Sequence, residues 1–187
     1  MAPGQSGTSP TVPALPALAN PARIITTTDP ENAKSTIDRT FDEDLPVTKD
    51  LGGALFRLAY VSGRAPEALD GNDVSTYGEY LKHMPALVVP GGGATVWYID
   101  TPPGAGSPLH RTVSLDFVVV VEGEVQMKLD SGETRLLRVG DLVVQRGTTH
   151  QWTNPSKDRW SRMVGVMSES QPIALNDGTT LGVAGLG

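Results

Sequence analysis

Few side chains in this sequence can do polar chemistry at a fixed point, and their spacing is informative. The chain holds three histidines and no cysteine. Thiol nucleophiles, disulfides and thiolate-bound metals are therefore excluded, and any metal must be held by nitrogen and oxygen donors. His110, Thr112, Ser114 and Asp116 alternate with Arg111, Val113 and Leu115. In an extended strand, residues of one parity share a face, and Val118 and Val120 continue that face as an apolar wall. His150, Trp152 and Asn154 share a face in the same way. His110, Asp116 and His150 are thus the candidate catalytic group. They are also the donor set of a facial triad of two histidines and one carboxylate, which leaves positions open for substrate or oxygen. Such donors suit iron, zinc, manganese or nickel, so a divalent metal held by His110, Asp116 and His150 is the expected cofactor. Without metal, His110 or His150 can serve as a general base, with Asp116 fixing its tautomer. Removing a proton beside a carbonyl and expelling a hydroxyl is within reach of either version. The third histidine, His83, reads as an ordinary surface or groove residue.

The elements that must position these groups are short. The 187 residues include 21 glycines and 15 prolines, against a usual combined share of about 12%, which favours many turns and short strands. Apolar or alternating runs recur at 86–89, 94–100, 116–122, 124–129, 134–138, 142–145, 150–154 and 160–167. Turn signals separate them, among them Pro90-Gly91-Gly92-Gly93, Asp130-Ser131-Gly132, Gly140-Asp141 and Asn154-Pro155. This spacing predicts an antiparallel sandwich or barrel, and the lack of helix-length patterns between the runs argues against alternating βαβ units. The barrel core spans 86–168. Ahead of it, residues 1–22 carry five prolines and no charge, which reads as an extended tail or as an arm packed on a partner subunit through Leu15 and Leu18. Residues 23–85 form an N-terminal extension, with an edge strand at Ile24–Ile25, a strand over Leu55–Val61 and a short helix over Asp73–Met84. Residues 169–187 read as a C-terminal tail.

A pocket inside such a barrel is expected to be apolar with a few placed polar groups. Trp97, Thr112, Met127, Trp152 and Met163 lie on candidate strands and are its expected lining. Arg146, just before His150, is placed to clamp an anionic group bidentately. Arg111 has the opposite parity from His110 and points outward, to a surface or dimer-interface salt bridge.

Charge narrows the partners. The 15 basic and 21 acidic residues give a net charge of −6, leaving no basic stripe to displace counterions from nucleic acid. No apolar run approaches the ~20 residues of a membrane span. The N-terminus shows neither a basic region nor a continuous apolar core of a secretory leader, so a cytoplasmic protein acting on a small molecule is expected.

Two segments carry a resemblance. Gly104 to Gly123, GAGSPLHRTVSLDFVVVVEG, resembles the first cupin motif, Gly-x5-His-x-His-x3,4-Glu-x6-Gly, with Gly104, His110 and Gly123 matching. Gly140 to Asn154, GDLVVQRGTTHQWTN, resembles the second, Gly-x5-Pro-x-Gly-x2-His-x3-Asn, through Gly140, Gly147, His150 and Asn154. The chain departs at Thr112, where the family has its second histidine, and at Asp116, where it has glutamate. Its proline is also replaced, in the Arg146 region. The resemblance implies an all-β fold, the cupin double-stranded β-helix or jelly-roll barrel, with a Pro-rich N-terminal arm, little helix and a homodimeric state. The pattern HRTxSxDF, then EGE, then GDxVVQRGTxHxW is similar to small fungal cupins known as oxidoreductases of polyketide secondary metabolism. It implies a metal-assisted oxidoreductase step on a polyketide-derived or aromatic carbonyl substrate. The alternatives are a dehydratase, decarboxylase or isomerase using histidine acid–base chemistry, and a non-catalytic cupin that binds a small molecule.

Overall fold

A computed structural model describes residues 17–185. In chain order, the described residues form β1 (Ile25–Thr28), β2 (Ser35–Asp38), β3 (Lys49–Leu51), β4 (Ala54–Ser62), α1 (Asn72–Lys82), β5 (Ala94–Thr101), β6 (Ser114–Glu122), β7 (Glu124–Leu129), β8 (Thr134–Arg138), β9 (Leu142–Arg146), β10 (His150–Thr153), β11 (Ser161–Glu169), β12 (Ile173–Ala174) and β13 (Thr180–Leu181). Strands thus form where the alternating runs predicted them, apart from residues 86–89, which are irregular. The fold is the expected all-β jelly roll with one short helix. No helix among the described residues is long and apolar enough to cross a membrane.

Period-two burial is the organising force. In β6 the buried positions are Ser114, Asp116, Val118 and Val120, and in β11 they are Ser161, Met163, Gly165 and Met167. Because the side-chain period is two, each strand has one register that buries this set. The main sheet runs β3-β4-β5-β11-β6-β9, and a second sheet runs β10-β7-β8. Apolar residues of the inner faces form two clusters. One contains Phe56, Leu58, Val61, Tyr77, Val89, Trp97 and Met167; the other contains Val118, Val120, Val125, Leu137 and Met163. Ile99 packs against both. Each fully buried Leu, Val or Met contributes roughly 1.5–3 kcal/mol over its exposed state.

The expected boundary at residue 86 does not separate the extension from the barrel. β4 pairs with β5 from Leu55↔Asp100 to Ser62↔Ala94, so residues of the extension supply two of the six strands of the main sheet. The helix packs on β4, where the Tyr77 hydroxyl donates to the Leu58 carbonyl at 2.7 Å. Asp73 in its first turn and Lys82 in its last complement the helix dipole.

The described part of the N-terminal arm is tied down by charge. Asp100, fully buried on β5, accepts from Arg57 Nη1 on β4 at 2.7 Å and from Arg162 Nη2 on β11 at 2.7 Å. Asn20 Oδ1 accepts from Arg57 Nε at 3.1 Å, and the Ala19 carbonyl accepts from Arg162 Nη2 at 2.8 Å. Residues 19–20 therefore complete the shell of a buried ion cluster that spans three adjacent strands. Within the tail expected over 1–22, Ala19 and Asn20 hold that role, while Leu15 lies outside the described residues.

Candidate active site

The second histidine segment begins β10, and the first sits just ahead of β6. His110 and His150 meet as a backbone pair: His110 N donates to the His150 carbonyl at 2.9 Å, and His150 N donates back to the His110 carbonyl at 2.8 Å. This brings the two rings to 4.3 Å between centroids at an interplanar angle of 55°. The alternation read from the sequence holds through 110–116: His110, Thr112, Ser114 and Asp116 are all buried.

Each imidazole is oriented by its own segment. His110 Nδ1 lies 2.9 Å from the Pro108 carbonyl oxygen. A carbonyl only accepts, so the proton sits on Nδ1 and Nε2 keeps its lone pair in the neutral ring. His150 Nδ1 lies 2.9 Å from the Thr148 carbonyl oxygen and 2.9 Å from Gln145 Nε2. Bonding to Thr148 places the proton on Nδ1; accepting from Gln145 places it on Nε2. Gln145, buried on β9, thereby joins the group that selects the His150 tautomer. Burial is the main force holding the His150 imidazole down, to about 4; the bond to the Thr148 backbone opposes it and the charge of His110 adds to it. His150 is therefore neutral at pH 7.

Asp116 is 3% exposed, and its Oδ1 is buried without a hydrogen-bond partner. Burial raises the carboxyl to about 6, against the pull of the Ser114 hydroxyl. Ser114 and Thr112 hydroxyls lie 2.7 Å apart, so Thr112 is engaged within the wall. The β6–β9 register places Asp116 opposite Gln145, and the β6–β11 register places it opposite Met167.

These groups line one cavity of about 140 Å³. Its polar wall includes His110, Thr112, Asp116 and His150, with Thr101 and Ser107; Phe56, Ile99, Val118, Trp152, Met163 and Met167 form most of its apolar wall. Among the described residues no lysine or arginine lines it. Leu51 lines it too and is 45% exposed, so the cavity opens beside the β3–β4 hairpin. His110, Thr112, Asp116, His150, Trp152 and Met163 thus stand together as the sequence predicts. Three expected lining residues stand elsewhere. Trp97 shares the inward face with Ile99 but is buried in the core, where its Nε1 donates to the Leu87 carbonyl at 3.1 Å. Met127 pairs across to Trp152 and packs in the second core cluster. Arg146 is exposed, because Gln145 takes the inward parity of β9. Phe56 was missed because the extension was read as lying outside the barrel, and Gln145 was missed although its parity was available.

Residues 97–164 match the cupin domain family. Over 173 residues the chain is 40% identical to phomopsin biosynthesis cluster protein D of Diaporthe leptostromiformis, covering 92% of this chain and 90% of that protein. It is 36% identical over 162 residues to the cupin-domain-containing oxidoreductase srdB of Neurospora crassa, covering 86% of this chain and 80% of that protein. Among solved structures, the polyketide cyclase RemF from Streptomyces resistomycificus shares the fold, with a TM-score of 0.50, 14% identity, and coverage of 81% of this chain and 86% of that one. The chain belongs to the cupin family.

Cupins often bind divalent metals, and the sequence led us to expect one here. The donor set does not fit. Among the described residues, no three His, Cys, Asp or Glu side chains stand close enough together to hold a metal ion. Two imidazoles face each other, but the family's second histidine is Thr112, bonded to Ser114, and its glutamate is Asp116, one methylene shorter. The three expected ligands share a cavity without forming a three-donor cluster.

Proposed function

We propose that the chain is an enzyme of secondary metabolism that moves protons on a neutral, largely apolar small molecule bearing a carbonyl. One observation carries the reading. Two facing imidazoles, with Nδ1 of His110 anchored on a carbonyl, share an apolar cavity with a buried carboxyl oxygen that has no partner. A lining that has no lysine or arginine among the described residues offers an anionic substrate no fixed counter-charge. The volume of about 140 Å³ is close to that of apolar cavities of roughly 150 Å³ that take up a single benzene ring. A substrate whose reacting part is one ring, or a chain about to close into one, fits that space.

The roles follow from the protonation states. His110 Nε2 takes a proton from the carbon beside the carbonyl, and the positive charge that forms is spread through Nδ1–H to the Pro108 carbonyl. Asp116, poised near neutrality, binds the substrate hydroxyl through Oδ1 and, in its protonated form, returns a proton to it. For a β-hydroxy ketone the balance is a C–H bond broken, a C=C bond formed, and hydroxide leaving as water with the proton from Asp116. His150, neutral and with its Nδ1 accepting from Gln145 Nε2, donates Nε2–H to the carbonyl oxygen. The names of the fungal relatives, one from a phomopsin biosynthesis cluster, support a place in secondary metabolism.

A second reading is an oxidoreductase, favoured by the name of the Neurospora relative. Under it the same imidazoles serve as the base that takes the substrate proton. A metal-assisted version needs a third donor that the described His, Asp and Glu residues do not bring to the imidazoles.

The test is solvent exchange. Neutral aryl ketones and β-hydroxy ketones in D2O are incubated with the protein, and deuterium at the carbon beside the carbonyl is followed by NMR. Wild type is expected to accelerate exchange, and His110→Ala to lose about 10²–10⁴-fold. No acceleration by the wild type across the panel would overturn the reading.

A further inference from the structure

We propose that the C-terminal strap Gly182–Gly185 belongs to the candidate active site, and that Arg111 is the positioning residue through which it holds both histidines in place. The proposal rests on the reading of His110 and His150 as the working groups.

The segment at His110 has two edges. On one, His110 pairs with His150. On the other, Arg111 N donates to the Ala184 carbonyl at 2.8 Å, and Ala184 N donates back to the Arg111 carbonyl at 3.0 Å. His110 therefore sits on the middle strand of three, and the strap supplies the third. Without it, this segment would be a free edge with unpaired backbone groups.

The Arg111 side chain ties the same parts together. Its Nε donates to the Gly182 carbonyl at 2.8 Å, and its Nη1 reaches the Thr149 hydroxyl at 3.4 Å. Arg111 follows His110 directly, and Thr149 directly precedes His150. One guanidinium thus joins the strap to the neighbours of both histidines. This differs from the outward salt bridge expected from parity: its partners are a carbonyl and a hydroxyl.

Two glycines mark where the C-terminal segment meets the histidine segments. A Cβ on Gly185, which has φ +71°, would lie 2.3 Å from the Leu109 carbonyl oxygen and 3.0 Å from His110 Cα. Only glycine allows the strap to press on the backbone of His110. Gly147 has φ +60°, and a Cβ there would meet Ile173 Cδ1 of β12 at 3.6 Å. Ile173 of the β12–β13 hairpin therefore lies beside the loop whose Thr148 carbonyl orients the His150 ring. What reads in sequence as a tail buttresses both imidazoles from outside the cavity.

The experiment reads the rings directly. Imidazole nitrogen shifts are recorded at one fixed pH for the full-length wild type, Arg111→Ala, Arg111→Lys and Gly185→Ala. His83, exposed at the end of α1, is the internal reference. Arg111→Ala and Gly185→Ala are expected to move the His110 and His150 ring nitrogens toward the averaged values of His83, and Arg111→Lys to restore part of the change. Should Arg111→Ala fail to fold, Gly185→Ala and Thr149→Ala carry the test, the latter moving His150 alone. Ring shifts identical to wild type in the folded variants would overturn the proposal. The readout needs no turnover, so an inactive wild type would sink the proton-transfer reading and leave this inference standing or falling on its own spectra.

Discussion

Replacing Asp116 with asparagine should reshape how stability depends on pH. Burial raises the folded-state carboxyl from 3.8 to about 6. A raised carboxyl contributes stability fully present below its unfolded value and lost as pH rises through about 6. About two pH units at 1.36 kcal/mol each make this loss about 3 kcal/mol by pH 7.5. His150 works in the opposite sense. Its imidazole is held down from 6.5 to about 4, so it contributes stability present above 6.5 and lost as pH falls through about 4, again about 3 kcal/mol. Between pH 4 and 6.5 the two slopes oppose each other in the wild type and its stability curve is nearly flat. Asparagine cannot ionise, so Asp116→Asn unmasks the His150 slope. The variant gains up to about 3 kcal/mol on the wild type between pH 4 and 7.5. Urea unfolding at constant ionic strength, sampled across that range, measures this difference. Because the quantity is a slope, a uniform packing cost of the amide does not disturb it. Parallel curves for the two proteins would refute the reasoning, since Asp116 would then be no more protonated in the folded state than in the unfolded one. Retaining a carboxyl that costs stability at neutral pH is what a functional group does, and a structural one would have no reason to.

Further outcomes follow from the same geometry. Asp100→Asn leaves the guanidiniums of Arg57 and Arg162 without their shared carboxylate; a loss of about 3–5 kcal/mol is expected in denaturant unfolding, and near-wild-type stability would contradict a buried cluster. Gln145→Leu removes the amide beside His150 Nδ1 while keeping the volume. It should lock the proton on Nδ1 toward Thr148, seen as a change in the His150 ring-nitrogen shifts with those of His110 unmoved.

Much of the site was legible because two strands carry their chemistry in period two. Parity alone put His110, Thr112 and Asp116 on one face and His150 and Trp152 on another, and the structure brings those faces together. Parity says nothing of depth along a strand, which is why Trp97, on the same inward face as Ile99, is core rather than lining. It also does not say which strands are neighbours. One partner of β5 is β4, and more than thirty residues of helix and turn separate them in sequence. Phe56 therefore could not be placed, nor could the strap at Ala184, whose contact with Arg111 spans most of the second half of the chain. The metal ligands show the same limit: among the described residues His110, Asp116 and His150 form no three-donor cluster. Spacing shows which donors are present, not how close their tips come, and Thr112 spends its hydroxyl on Ser114.

The central claim is that the chain's own imidazoles and carboxyl do the proton transfer. The most direct measurement strips the purified protein with a chelator, verifies its metal content by elemental mass spectrometry, and follows deuterium exchange into the neutral ketone panel. Full exchange activity in the metal-depleted protein, abolished by His110→Ala, is the predicted result. Activity lost on chelation and restored by one equivalent of a divalent ion would contradict the account.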